Sequence, residues 1–476
     1  MRPSRRMRMV VLASSLSVLA ACSVGDPYVQ PASRAPAAWT GATPAAAPAE
    51  WPSRDWWRGF GSARLDEMMR QAAQDNFDLA VAMAKVRQAD AQVAIMGAPL
   101  LPSLSASGGV SRSRSSMAAA SSSATTARTP KATHSTSTNT LLNASYEIDF
   151  WGRNTAALGA AQQAAQASRF DRQTVMLTVQ SSVATAYFDI LGLQERLRVA
   201  RESIANAESV LSVYRDRMAA GTATSLDVAQ QETVVANQRA VLAPLEQQMR
   251  QTHNALAILT GRMPDEMSPI PETLASLSAP RPAPGLPSEL LARRPDIAAA
   301  EALLKGANAD IAAARAAWFP SISLTGQTGF QSLDLLKMMT HESLLWSLAT
   351  SVTAPIFDGG RIAGTVEQKR ARFEELSQTY RKAVASAFSD VENALIAAEK
   401  TAEEVAAQQA AEATARNAFD IARSLLAGGT VDITAVLNTQ KALYAAQDAL
   451  TQARLRQLQA TVGLYKAMGG GWSSGG

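Results

Sequence analysis

One thiol carries most of the covalent chemistry this 476-residue chain offers. Cys22 is the only cysteine, and it stands directly behind Leu19-Ala20-Ala21 at the end of an apolar stretch running from Met9 to Ala20. Arg2, Arg5, Arg6 and Arg8 come before that stretch, which is too short to span a bilayer. A basic start, an apolar run and small residues ahead of a cysteine resemble a lipobox, so a lipoprotein signal peptide over 1–21 is expected, cut so that Cys22 becomes the new N-terminus. The chemistry is acylation, with a diacylglyceryl thioether on sulfur and an acyl chain on the freed amine. Each buried CH2 then contributes about 0.8 kcal/mol of anchoring. No other cofactor is expected, and a single cysteine allows no intrachain disulfide.

The remaining reactive groups are scattered. His134 lies in a Ser/Thr-rich stretch, His253 in a helical pattern and His341 in a second loop, with no shared spacing. No phosphate-binding Gly-rich loop, no Gly-x-Ser-x-Gly elbow and no Cys/His metal cluster occurs. An enzyme is therefore not expected. Nor is a nucleic-acid binder: the net charge of +4 comes from the four arginines of 1–21, and the rest balances at 41 basic against 41 acidic side chains.

What is left are charges and turns whose effect depends on the scaffold that places them, and the scaffold is a repeat. Asp78–Gly108 lies over Asp296–Gly326 without a gap, and Pro102/Pro320, Ser103/Ser321, Ser105/Ser323 and Gly108/Gly326 coincide. The offset then falls from 218 to 208: Gly152-Arg153 meets Gly360-Arg361, Gly221-Thr222 meets Gly429-Thr430, and Gly261 meets Gly469. The first repeat covers 62–261, with a helix, a β-hairpin at about 101–151, a long helix over 152–219 and a return helix over 225–260. The second covers 293–468, with a helix, a β-hairpin at about 320–358, a long helix over 360–427 and a return helix over 432–468. A Pro/Ala-rich, lipid-anchored arm over 22–61, a Pro-rich linker over 262–292 and a Gly-rich tail over 469–476 complete the chain. Trp39, Trp51, Trp56 and Trp57 are expected to dock the arm.

Two periodicities alternate within each half. Leu142, Ala144, Tyr146, Ile148 and Phe150 alternate with Asn143, Ser145, Glu147 and Asp149, which is a strand with one apolar and one polar face. Trp346, Leu348, Val352, Ala354 and Ile356 repeat the pattern against Ser347, Ser351 and Thr353. Alternation alone leaves a membrane barrel and a half-buried soluble sheet equally open. The helices decide. Roughly 67 Pro-free residues at 1.5 Å rise reach on the order of 100 Å, and charges such as Arg196, Arg198, Arg201 and Glu202 exclude a bilayer span. Such helices cross an aqueous space wider than a membrane, packed as in coiled coils. In hydrocarbon a sheet must close on itself, and four strands cannot. The chain is thus expected to be a homo-oligomer; a dimer would give eight strands and a trimer twelve, with the helices closing into a tube.

The order and duplication of these motifs resembles the TolC-like outer-membrane efflux channels, in the lipoprotein branch (NodT type) that serves resistance–nodulation–division pumps. Trp56-Trp57-Arg58-Gly59-Phe60 and Asn76-Phe77-Asp78-Leu79 resemble the family's entry and first helix. Leu101-Pro102-Ser103-Leu104 and Phe319-Pro320-Ser321-Ile322 resemble its helix-to-strand junctions. Phe150-Trp151-Gly152-Arg153 and Phe357-Asp358-Gly359-Gly360-Arg361 resemble its strand-to-helix junctions, and Arg293-Arg294-Pro295-Asp296-Ile297 the start of its second repeat. The resemblance implies a mainly α protein with a trimeric, twelve-stranded outer-membrane β-barrel continuous with a periplasmic α-helical barrel. It implies passive conduction of small molecules from a periplasmic adaptor and an inner-membrane pump to the exterior, without nucleic acid. By position it makes Asp420 and Arg423 candidates for the periplasmic gate, and Gly221, Thr222, Gly429 and Thr430 the turns that meet the adaptor. Ser23 behind the lipidated Cys22, by resemblance to bacterial lipoproteins, implies sorting to the outer membrane of a Gram-negative cell. The run 111–140 is read as an exterior loop whose Arg112, Arg114, Arg128 and Lys131 are solvated, with contact to anionic lipopolysaccharide as the alternative. Type I protein secretion and a lipid-anchored coiled-coil scaffold without a pore remain open beside the efflux reading.

Overall fold

Helix length in this chain is set by where a backbone donor is missing or a side chain competes with the ladder. The computed structural model describes residues 25–32, 35–40, 51–114, 134–266, 270–280, 282, 285–428 and 430–473. Its main helices are α1 (Ala63–Asp75), α2 (Phe77–Gly97), α3 (Arg153–Ala219), α4 (Ser225–Ala240), α5 (Leu242–Leu259), α6 (Pro295–Ala316), α7 (Arg361–Ala427) and α8 (Ile433–Ala467). The strands are β1 (Ser103–Arg114), β2 (His134–Ile148), β3 (Ser321–Ser332) and β4 (Leu344–Thr353). α3 and α7 each run 67 residues.

Two helices expected to be continuous are interrupted. The one over 62–98 breaks at Asn76, whose backbone is extended and whose side-chain oxygen accepts the Leu79 N–H at 3.0 Å to start α2. The return helix over 225–260 breaks after Ala240. Pro244 has no N–H to donate to the Ala240 carbonyl, so the i→i−4 ladder fails there. The repeat places Gln452 opposite Pro244, and α8 runs unbroken for 35 residues.

Contacts divide the chain into two units that do not coincide with the two repeats. One unit takes residues up to Gln30, Arg87–Gln166 and Ala302–Gln378; the other takes Pro31–Val86, Ala167–Glu301 and Thr379–Gly476. Each therefore draws on both halves.

The first unit holds a four-stranded antiparallel sheet in the order β1-β2-β3-β4. Its register gathers most of the large apolar side chains on one face. Leu104, Ala106 and Val110 of β1 share a face with Leu142, Tyr146 and Ile148 of β2, Ile322, Leu324 and Phe330 of β3, and Trp346, Leu348 and Val352 of β4. The opposite face carries Ser105, Ser107, Asn139, Asn143, Ser323, Gln327, Ser347 and Ser351, with Leu141, Leu345 and Ala349 as apolar exceptions. Polar pairs stitch that face: the Asn143 amide donates to Ser107 at 3.2 Å, and the Ser323 and Ser351 hydroxyls lie 2.6 Å apart. β1 and β4 each have one strand neighbour among the described residues.

The strands end earlier than alternation implied. Asp149 turns to cap α3, accepting from the Asn154 N–H at 3.0 Å and the Thr155 N–H at 2.7 Å, so Phe150 lies past β2. Pro355 lacks a donor, leaving Ala354 and Ile356 beyond β4. Conversely, β1 and β2 extend into the stretch read as loop, because ladder pairing of Arg112 with Thr136 and Arg114 with His134 needs no apolar side chains. Arg128 and Lys131 lie outside the described residues.

The second unit repeats one contact in both halves. A Cβ on Gly261 would sit 2.2 Å from the Asp75 carbonyl oxygen, and one on Gly469 would sit 1.9 Å from the Arg293 oxygen. Beside these, the Asn76 amide donates to the Leu259 carbonyl at 2.8 Å, and Arg294 to the matching Ala467 carbonyl at 3.3 Å. Glu272 fixes the linker by accepting from the hydroxyls of Ser62 (2.6 Å) and Tyr187. The arm's tryptophans are docked: Trp39 donates to the Gly285 carbonyl at 2.7 Å, Arg293 stacks over Trp51, and Trp56 stacks on Tyr465. Among the described residues no helix is long and apolar enough to cross a membrane.

Candidate functional site at the helical hairpin tips

The tips are where α3 turns into α4 and α7 into α8. A helix leaves its last carbonyls without intrahelical partners. At the first tip Gly221 takes φ +75, and the next residue reaches back. The Thr222 N–H donates to the Arg217 carbonyl at 2.8 Å and its hydroxyl to the same oxygen at 3.0 Å. Thr430 repeats this on the Leu425 carbonyl at 3.1 and 3.0 Å. Gly429 itself lies outside the described residues, as does Cys22.

The return helices start differently. Thr224 and Asp227 form a reciprocal capping box, in which the Thr224 N–H and hydroxyl both donate to Asp227 at 2.8 Å. Those two bonds, the backbone one foremost, hold the Asp227 carboxyl below the usual range. At the second tip Asp432 caps alone, accepting the Ala435 N–H at 3.1 Å.

Both hairpins share one apolar core. Leu211 and Tyr214 from α3, Val228 and Val235 from α4, Phe419, Ala422 and Leu426 from α7, and Val436 and Leu443 from α8 form a single cluster. Tyr214 is 3% exposed, and its hydroxyl has no hydrogen-bond partner among the described residues. Burial pushes that phenol up; Arg217 opposes the rise, and Asp227 and Asp432 add to it. Arg217 donates to the Leu426 carbonyl at 2.6 Å, so a guanidinium at the end of α3 caps the end of α7. Farther from the turn, Gln231 donates to the Ala207 carbonyl and Gln440 to Tyr444, each at 2.8 Å. Each amide oxygen has no partner among the described residues. Burial raises the Tyr444 phenol to about 12.

Asp420 and Arg423 lie on the face of α7 turned away from that core, between buried Phe419, Ala422 and Leu426. Both are exposed, and neither forms an ion pair within the chain among the described residues. The structure therefore brings Thr222, Thr430, Asp420 and Arg423 to the same end of the bundle. Sequence reading missed Tyr214 and Arg217. The repeat contained a signal: at the 208 offset Tyr214 faces Ala422 and Arg217 faces Leu425, the mismatches expected where the halves pack on each other.

Family comparison follows the same doubling. The model of the outer membrane efflux protein family matches twice, over residues 68–262 and 286–470. This chain belongs to that family. It is 42% identical over 451 residues to the pyoverdine export outer membrane protein OpmQ of Pseudomonas aeruginosa, covering 91% of this chain and 94% of that one. It is 30% identical over 461 residues to the cation efflux system protein CusC of Escherichia coli, covering 95% and 96%. Among solved structures, the open state of the Neisseria gonorrhoeae MtrE outer membrane channel superposes with a TM-score of 0.83 at 30% identity, over 94% of this chain and 98% of that one. Family membership makes the chain an outer-membrane efflux channel of a Gram-negative cell. The four-stranded sheet is its membrane part, and the tips are its candidate control point.

Proposed function

We propose that three copies close into one passive conduit, four strands from each completing a twelve-stranded barrel. The sheet carries this reading: it is apolar on one face, rich in hydroxyls and amides on the other, and open at both edges. In hydrocarbon such edges must be paired, and four strands fall short of the about eight that a barrel needs. The trimer, rather than a dimer, follows the family resemblance. The polar face lines the lumen and suits hydrated small molecules. The relative that exports pyoverdine supports small-molecule export here. Cys22 carries the anchoring lipid.

The helical tips form the periplasmic end, where a periplasmic adaptor and an inner-membrane resistance–nodulation–division pump engage the channel. Asp420 and Arg423 point away from the tip core with no partner that would neutralise them, as ring charges at a constriction must. Gly221, Thr222, Gly429 and Thr430 are the turns offered to the adaptor; at the first, a Cβ on Gly221 would meet nothing within 4 Å. The test uses a Cys22→Ser protein: a trimer mass together with discrete single-channel steps is expected, and a monomer without conductance sinks the reading. In the same bilayers Asp420→Ala is expected to change conductance or cation preference; no change in either removes Asp420 from the gate.

A further inference from the structure

The apolar sheet face does not stay apolar to its end. On β1 the residues sharing that face run Leu104, Ala106, Gly108, Val110, and then Arg112 and Arg114. Arg112 pairs with Thr136 and Arg114 with His134, so the alternation that turns Ser111 and Ser113 to the polar face turns both guanidiniums outward. Among the described residues neither has an acidic partner. At the opposite end of the strands the Trp151 and Phe319 rings stack at 4.7 Å, with Phe150 edge-on at 4.8 Å and exposed Trp318 adjoining. Aromatic clusters of this kind mark a membrane interface.

Depth follows from strand geometry. Leu104 and Arg112 are eight residues apart on β1, roughly 27 Å along a strand at ~3.4 Å per residue and about 20 Å of height at a tilt near 40°. An outer-membrane barrel presents an apolar band about 25 Å tall. Arg112 and Arg114 thus stand at the far edge of the band that starts at the aromatic cluster, at the level of the outer headgroups. The β3–β4 loop adds a second feature on the same side. It rests on the outward-facing Thr140, whose hydroxyl lies 3.9 Å from the Met338 sulfur. It leaves Leu336 92% and Met339 73% exposed, beside the exposed Lys337. Apolar side chains next to a cation fit acyl chains below a charged headgroup.

We infer that Arg112 and Arg114, supported by His134, form a lipid-facing site for a phosphorylated headgroup of the outer leaflet. Guanidinium forks match phosphate oxygens in pairs, and two on one strand face, two residues apart, can bridge two phosphates of one lipid. The apolar band supplies the acyl contacts. The inference rests on the barrel reading, because only an assembled barrel turns this face to lipid.

The assembled Cys22→Ser protein in detergent is mixed with diphosphorylated lipopolysaccharide and, separately, with the dephosphorylated form, and the lipid retained through gel filtration is quantified. Wild type is expected to retain the phosphorylated form at least tenfold better than the dephosphorylated form. Arg112→Gln/Arg114→Gln is expected to lose that preference while Arg112→Lys/Arg114→Lys keeps part of it. Millimolar inorganic phosphate should not displace the lipid; displacement would mean a free-anion site and overturn the lipid assignment. Equal retention by the Gln variant and wild type overturns the site. Single-channel conductance separates the two levels of the argument: it should be unchanged in the Gln variant, and if wild type neither conducts nor retains lipid, the barrel reading fails first.

Discussion

The two helical hairpins descend from one repeat and end in the same Gly–Thr turn, yet they are secured by different means. The first hairpin is tied internally. It has a reciprocal capping box at Thr224–Asp227 and ion pairs from Arg215 to Glu232 and from Arg239 to Glu208, and its return limb is divided at Pro244. The second has a single Asp432 cap and an unbroken return helix, and its long limb relies on Arg217 from the first hairpin to cap Leu426. A duplicated unit has thus diverged at its tips, although each copy keeps ties of its own and to the other: Arg456 of α8 pairs with Glu404 of α7, and Arg196 of α3 with Asp448 of α8. At the tips that asymmetry leaves the end of α7 dependent on a contact supplied by the other hairpin. The polar atoms left unpaired at Tyr214, Gln231 and Gln440 lie in the same bundle, where an unmade hydrogen bond costs about 1–3 kcal/mol.

Substitutions can break this contrast in order of expected size. Tyr214→Ala removes a buried ring packed in the shared core and should destabilise the tip by about 3 kcal/mol. Amide exchange should then rise in both hairpins; a rise confined to the first would show that the core is not shared. Arg217→Met keeps the aliphatic stem but frees the Leu426 carbonyl, with an expected loss of about 1.5–3 kcal/mol. Basal conductance should increase, and protection should fall at the end of α7 more than at the end of α3. The reverse order would show that the Arg217 contact does not secure the end of α7. Thr224→Ala is expected to cost about 1 kcal/mol, seen as faster exchange in the first turn of α4 with α8 unaffected.

The smallest effect is acid. Asp227 is held below the ordinary aspartate range, so the stability it lends is complete above that range and disappears as pH falls through its lowered value. Fraying of the first turn of α4 should therefore grow on acidification below about pH 4. Asp227→Asn should remove the pH dependence, and its persistence would assign the acid step elsewhere.

Much of the scaffold was legible because backbone rules act locally. Pro-free runs with three- and four-residue spacing led to α3 and α7, and strict alternation led to β2 and β4. What escaped depended on single residues with nonlocal meaning. Pro244 was passed over inside a helical pattern, and Asn76 stops one helix and starts the next while also binding Leu259. The ends of β1 and β2 give no strand signal because Ser, Thr and Arg carry no hydrophobic pattern, although their backbones pair as well as any. At the tips, the Gly and Thr turns could be read from spacing; the repeat mismatches at Tyr214 and Arg217 mark a contact between the halves but not its partner, since Arg217 meets Leu426 more than two hundred positions away.

The sequence by itself determined the doubling, the helix and strand periods and the need for partners, because each follows from local sterics or from a strand count too small to close. Only the tertiary structure decided that both hairpins share one core and that Arg217 serves α7 from α3. Strand register likewise decided that Arg112 and Arg114 face outward, since a one-residue slip would have turned both into the lumen. Contacts between distant segments depend on register and packing, which the order of residues along the chain does not display.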